Sequence, residues 1–248
     1  MTVRYEERGA VAILTIDRNE RRNAVDRATA EALLAGYRRF EGDAALRVLV
    51  VTGAGGTFCA GADLKALDND VFRPEGPMGF TRLFADKPVI AAIEGYCVAG
   101  GLEIALFCDL RVAARTAHFG CLERRFGVPL IDGGTQRLPR IVGLGRALDL
   151  VLTGRLIDAA EAERIGLVNR LVDEGTALSA ALALAEELIG YPWECLIADR
   201  TSLLEGSGLP LEAGIRIEAE RGRSLEIARE TRDGAARFSA GTGRHGSR

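Results

Sequence analysis

The sequence predicts an α/β core with an all-helical ending, on three observations. Short β-branched runs alternate with helical periodicity in the first half. Helical spacing takes over after about residue 144, and the 248 residues, 48% of them hydrophobic, suffice for one large domain or a core with a small appendage.

Residues 11–17 (VAILTID) and 48–52 (VLVVT) are apolar runs bounded by turn residues and read as buried strands. Between them Asp26 can cap a helix that presents Leu33, Leu34, Tyr37 and Phe40 at helical spacing. Residues 89–93, after Pro88, and 110–114 give two more strands. Beyond residue 144 an amphipathic helix covers 144–153, Asp158 caps a helix that runs up to Gly166, and 167–172 is one more short strand. Three helices follow over 176–188, 193–204 and 211–228, and the small, polar residues 239–248 are expected to fray. The stretch 68–80, with Pro74, Gly76, Pro77 and Gly79, is expected to be a mobile loop.

Composition narrows the function. A net charge of −3 and a pI near 5.6 argue against general nucleic-acid binding, which needs a concentrated basic face. The five cysteines are odd in number and form no C-x-x-C pair, so free thiols in a reducing compartment are expected. His118 and His245 are the only histidines, which makes a zinc site improbable. The opening MTVRYEER lacks the apolar centre of a signal peptide, and no apolar run approaches the roughly 20 residues of a spanning helix, so a cytoplasmic protein is expected.

The segment VAGGLEIALFCD, from Val98 to Asp109, raises a chemical question. It places a carboxylate, Glu103, in an apolar helix directly after a glycine pair, where burial raises the pKa unless a partner compensates. The strand, turn and glycine pair ahead of that helix leave the N–H of Gly100 or Gly101 free to point outward, reinforced by the helix dipole. A second glycine loop follows Thr52. It is not a dinucleotide loop, because a G-x-G-x-x-G beginning at Gly53 would need glycine where Phe58 stands, and it is expected to open a short helix near Ala62. Two facing loops of this kind would pair donors for an oxyanion; alternatively, the glycines allow only close packing. Glu123, twenty positions after Glu103, could face it across a pocket or be a solvated partner of Arg124 or Arg125. Cys121 and His118 sit three apart on an extended segment and point to opposite faces, which argues against a nucleophile and base.

The succession FCAGADLK (58–65), KPVIAAIEGYCVAGGLE (87–103), Cys108-Asp109, Phe119-Gly120, GGTQRL (133–138) and Leu152-Thr153-Gly154 closely resembles the crotonase (enoyl-CoA hydratase/isomerase) superfamily over nearly the whole chain. The resemblance implies a crotonase-like α/β spiral of β-β-α units, here residues 1–190, with a helical C-terminal region, 191–248, involved in trimerisation and pocket closure. It implies a homotrimer or dimer of trimers, an acyl-CoA thioester as substrate, and no metal or redox cofactor, coenzyme A being part of the substrate. It places the oxyanion donors on the amides of Ala62 and Gly100, the catalytic carboxyls on Glu103 and Glu123, and the CoA contacts on Arg21, Arg22, Ala60, Asp63, Leu64 and Lys65. The implied activity is hydration of a trans-2-enoyl-CoA to a 3-hydroxyacyl-CoA in fatty-acid or related acyl-CoA degradation. The alternatives are a Δ3-Δ2 or dienoyl-CoA isomerase and, from another class, a non-catalytic acyl-CoA or RNA-binding homologue. The chain departs from the family pattern at Leu122, where proline is usual, and at VPLIDGG (128–134). There Asp132 is either a third acid, one position from the extra acid of dienoyl-CoA isomerases, or an Asx turn ahead of Gly133.

Overall fold

The computed structural model describes residues 2–241, which fall in two compact units, Met1–Glu186 and Glu187–Arg248. The histidine at 245 and the rest of 242–248 lie outside the described residues.

Strands β1 (Val3–Arg8) and β2 (Val11–Ile16) form an antiparallel hairpin, Val3 opposite Ile16 and Arg8 opposite Val11. The turn rests on Gly9, whose φ of +59° suits a two-residue hairpin loop. β1 escapes the sequence reading because only Val3 is buried and its outward residues are charged. From β2 the sheet continues in parallel through β3 (Val48–Gly53), β4 (Val89–Ile93), then, past β5 (Tyr96–Val98), β6 (Leu110–Ala114), and finally β9 (Arg170–Val172), in the order β1-β2-β3-β4-β6-β9. Every residue of β2 and β4 is buried, which explains their unbroken apolar sequences. A smaller sheet joins β5 in parallel to β7 (His118–Gly120), which pairs antiparallel with β8 (Ile157–Asp158).

Helix α1 (Arg27–Gly42) begins where expected: Asp26 accepts the amide of Thr29 at 2.9 Å, and Leu33, Leu34, Tyr37 and Phe40 are buried. Its far end is closed by Lys87, whose ammonium donates to the carbonyls of Phe40, Glu41 and Asp43. Helix α2 (Gly100–Phe107) is buried from Gly100 to Leu106. Helices α3 (Gly134–Val142) and α4 (Leu144–Thr153) meet at Gly143, and α5 (Ala159–Arg164) is capped by Asp158. α6 (Ala177–Ile189) follows β9.

Three expectations change. The short helix near Ala62 does not form; Ala62 makes an isolated parallel bridge with Val25 and the chain then turns through Asp63 and Ala66. The stretch 68–80 has no helix or strand, but Gly76 to Thr81 is buried, so its second half is part of the core rather than a mobile loop. The helix expected over 211–228 is two helices, α8 (Leu211–Arg221) and α9 (Leu225–Ser239), because Gly222 ends the first and Ser224 caps the second.

In the second unit, α7 (Trp193–Gly206) packs with α8 and α9. Gly206 and Gly214 permit a close approach: a Cβ on Gly206 would sit 3.6 Å from the Gly214 Cα. Arg221 pairs with Glu205, and Glu230 of α9 accepts the amides of Glu194 and Cys195, the donors that the start of α7 leaves open. Among the described residues no helix is long and apolar enough to cross a membrane.

Candidate active site

Two loops bring two free amides together. Val25 donates to the Gly61 carbonyl at 2.8 Å and accepts the Asp63 amide at 2.9 Å, so Ala62, opposite Val25, turns its own N–H away. On the second loop Cys97 bridges to Cys59, with Cys59 N–H donating to Tyr96 and Val98 N–H donating to Cys59. That pairing lays the Gly61 backbone against the start of α2: a Cβ on Gly61 would lie 3.0 Å from the Gly100 nitrogen and 2.8 Å from the Ala99 Cβ. Neither Ala62 nor Gly100 donates its amide to an acceptor among the described residues. Ala99, just before Gly100, holds a φ of +53° and a ψ of −131°, a sparsely populated conformation that costs a non-glycine residue on the order of 1–3 kcal/mol. Bonds from Ala99 N–H to Gly120 and from Glu103 N–H to Ala99 keep it there, and the strain falls beside the free amide.

Glu103 is in the first turn of α2 and is buried. Its Oε1 accepts the amides of Asp132 at 2.9 Å and Gly134 at 2.8 Å, and Oε2 accepts none from the described residues. Gly134 must be glycine for this approach, since a Cβ would meet Glu103 Oε1 at 2.9 Å. Burial, then the neighbouring Asp132 carboxylate, then Glu123, push the Glu103 pKa up to about 8 against the two amide bonds.

Glu123 lies in the 3-10 turn Leu122–Phe126 that follows β7, with both carboxyl oxygens buried and without a hydrogen-bond partner among the described residues. It is therefore not the solvated partner of a neighbouring arginine: Arg124 and Arg125 are exposed, and Arg125 Nε donates to Gly154 O. Burial raises its pKa, opposed by Arg124. Glu123 raises the Glu103 pKa, and two carboxyls coupled in this way can hold one proton between them, one acting as acid and the other as base.

Asp132 is not an Asx turn. Its Oδ1 accepts the Met78 amide at 3.1 Å and the Thr81 hydroxyl. Three residues that sequence reasoning passed over complete this region: Met78, Thr81 and Arg137. Arg137 sits in the conspicuous GGTQRL stretch, but its target could not be read there: its guanidinium donates to the carbonyls of Thr81, Asp132 and Leu83. His118 stacks on Tyr96, and Cys121 is buried with a thiol pushed up to about 12, so this pair stays inert.

The CoA candidates divide. Arg21, Arg22, Leu64 and Lys65 are exposed, and the Ala60 amide donates to Arg22 O at 3.1 Å, which holds the segment of Arg21 and Arg22 beside the loop of Leu64 and Lys65. Asp63 turns inward: its carboxylate pairs with Arg18 at 3.1 Å, and Arg18 also holds Asp26. A separate cavity on the β1-β2-β3 surface is lined by Arg4, Glu6 and Arg8 among others and includes none of Glu103, Glu123 and Asp132.

Comparison with known proteins gives the family. The profile of the enoyl-CoA hydratase/isomerase family matches residues 6–240. A probable enoyl-CoA hydratase of Rhizobium meliloti is 36% identical over 244 residues, covering 96% of this chain and 95% of the relative. The crystal structure of an enoyl-CoA hydratase from Mycobacterium tuberculosis superposes with a TM-score of 0.91 at 38% identity, covering 96% of each chain. An enoyl-CoA hydratase structure from Bacillus anthracis gives 0.89 at 30% identity, covering 97% of this chain and 96% of its own. With a family match over almost its full length and the crotonase fold, this chain belongs to the enoyl-CoA hydratase/isomerase family.

Proposed function

We propose that the chain is an enoyl-CoA hydratase, adding water across the double bond of a trans-2-enoyl-CoA thioester to form a 3-hydroxyacyl-CoA. The observation that carries this reading is the pair of buried carboxyls, Glu103 and Glu123, close enough for one to raise the pKa of the other. The thioester oxygen accepts from the Ala62 and Gly100 amides, which stabilise the enolate as negative charge develops on it. Glu103 Oε2 takes a proton from water while the water oxygen bonds to the β carbon, and Glu123 delivers a proton to the α carbon. One carboxyl gains the proton that the other loses, and solvent exchange restores the pair. The reaction needs no metal or redox group.

Arg21, Arg22 and Lys65 supply cations for the phosphates of coenzyme A, and Ala60 and Leu64 present backbone and apolar surface to its adenine end. Asp63 serves through Arg18, fixing that loop. The apolar side chains exposed on α8 and α9 support assembly into a homotrimer or a dimer of trimers. A double-bond isomerase is the second reading, favoured by one observation: Glu123, which such a reaction needs, has both oxygens free, whereas Glu103 is half committed.

The test follows the loss of conjugated enoyl-thioester absorbance with crotonyl-CoA, beside Glu103→Gln and Glu123→Gln. Hydration predicts rapid loss that either substitution reduces at least a hundredfold, the scale on which acid–base groups act. The assignment moves to isomerase if no 2-enoyl-CoA is consumed while a 3-enoyl-CoA becomes conjugated and Glu103→Gln leaves that rate intact.

A further inference from the structure

Asp132 holds an unusual position among the buried acids. Its backbone amide donates to Glu103 Oε1, and its carboxylate accepts from Met78 and Thr81. Met78 in turn packs on Gly100: a Cβ on Gly100 would come within 2.8 Å of the Met78 sulfur. One residue thus touches both the Glu103 carboxyl and the segment packed behind the Gly100 amide. Close packing at Gly76 shows how tightly the junction is built, for a Cβ there would lie 2.5 Å from Thr81 Oγ1 and 2.8 Å from Asp132 Oδ1. Arg82 Nε, donating to Ile131 O at 2.9 Å, and Arg137, donating to Thr81 O at 2.6 Å, tie the same two segments in parallel.

We propose that Asp132 is a positioning residue that locks the Gly76–Thr81 segment to the Glu103 carboxyl, so that the packing behind the Gly100 amide and the water-activating group are set together. In this arrangement the Asp132 side chain has two separable properties. As a hydrogen-bond acceptor it holds Met78 and Thr81. As an anion it acts on Glu103 through space. The other groups bearing on Glu103 are Glu123 from the 3-10 turn, Cys121 ahead of it and Arg137 from α3; Arg82 and Arg137 bear on Asp132 itself. An asparagine keeps the acceptor and removes the charge, whereas an alanine removes both.

The proposal rests on the hydratase reading for its kinetic arm only. The first measurement is an infrared titration of the Glu103 carboxyl in the full-length protein, identified by its disappearance in Glu103→Gln. In Asp132→Asn the midpoint is expected to fall by roughly one pH unit, the size a close charge contributes. A midpoint that does not move overturns the proposal. The second measurement is crotonyl-CoA kinetics across pH. Asp132→Ala is expected to lower kcat at least tenfold with a smaller change in KM, and Asp132→Asn to recover kcat to within a few fold at its own, more acidic optimum. Asparagine no better than alanine overturns the proposal. If the parent protein consumes no 2-enoyl-CoA, the activity reading fails, and the infrared titration alone decides the role of Asp132.

Discussion

Glu103 ties stability to function at a single carboxyl. Its pKa is raised to about 8 by burial, by Asp132 and by Glu123, far above the carboxylate range of an unfolded chain. A carboxyl whose folded-state pKa is raised contributes stability that is fully present below the unfolded pKa and is lost as pH rises through the folded one. Between roughly pH 4.5 and pH 8 the protein therefore loses on the order of a few kcal/mol as this buried group is made to ionise. Glu103→Gln keeps an acceptor for the Asp132 and Gly134 amides and removes the ionisation. Its Tm is expected to match the parent near pH 4.5 and to exceed it by several degrees at pH 8.5, as read by calorimetry at both pH values. A constant difference across that range would show that Glu103 is not held in a desolvated, anion-flanked site. The same titration shapes catalysis, because Glu103 takes a proton from water only as the carboxylate. On this account kcat/KM is expected to fall as pH drops below about 8, as read from its pH profile with crotonyl-CoA.

At the scale of elements, the chemistry depends on two loops held edge to edge by isolated bridges rather than by a sheet. Gly61 is one close approach between them, with a φ of +95° and the Gly100 nitrogen 3.0 Å from where its Cβ would be. Gly61→Ala therefore adds backbone strain and drives the donor amides apart. The rate with crotonyl-CoA is expected to fall by about a hundredfold, the cost of losing one oxyanion donor. Gly9→Ala is the control: the hairpin glycine has a φ of +59° but open space around it, so it loses stability and keeps its rate. Equal rate losses in the two variants would mean that strain, not donor geometry, matters. The sequence made most of this level legible. Unbroken apolar runs announced β2 and β4, Asp26 and Asp158 announced α1 and α5, and the loops of Ala62 and Gly100 announced free amides. Less legible were features set by distant partners. Strand β1 hides behind charged outward residues, α3 begins inside the Gly133-Gly134 pair, and the buried Gly76–Thr81 segment is held by Asp132 and Arg137 from more than fifty positions away. Pairing at that separation leaves no local periodicity to read.

Over the whole molecule, the two units differ in how they meet the demand for burial. Met1–Glu186 contains the sheet and a continuous apolar core. In Glu187–Arg248 none of the residues of α7, α8 or α9 is buried, and Leu203, Leu211 and Leu225 are 77%, 81% and 73% exposed. A fully buried leucine gains about 1.5–3 kcal/mol over an exposed one, so three left in water forgo a sum comparable to the whole stability of a marginal domain. Helices of eleven to fifteen residues do not hold their shape on propensity alone, and α7, α8 and α9 fall in that range. In the proposed homotrimer or dimer of trimers, a second copy of the chain would cover this surface. Light scattering behind size exclusion is expected to give a mass near three or six times the 26.5 kDa protomer, persisting at high salt because the contact is apolar. Leu211→Asp with Leu225→Asp should dissociate the assembly, since each puts an unpaired carboxylate into the contact. A mass of 26.5 kDa at micromolar concentration with the helical signal intact would defeat the argument, because the helices would then be stable with their apolar side chains in water.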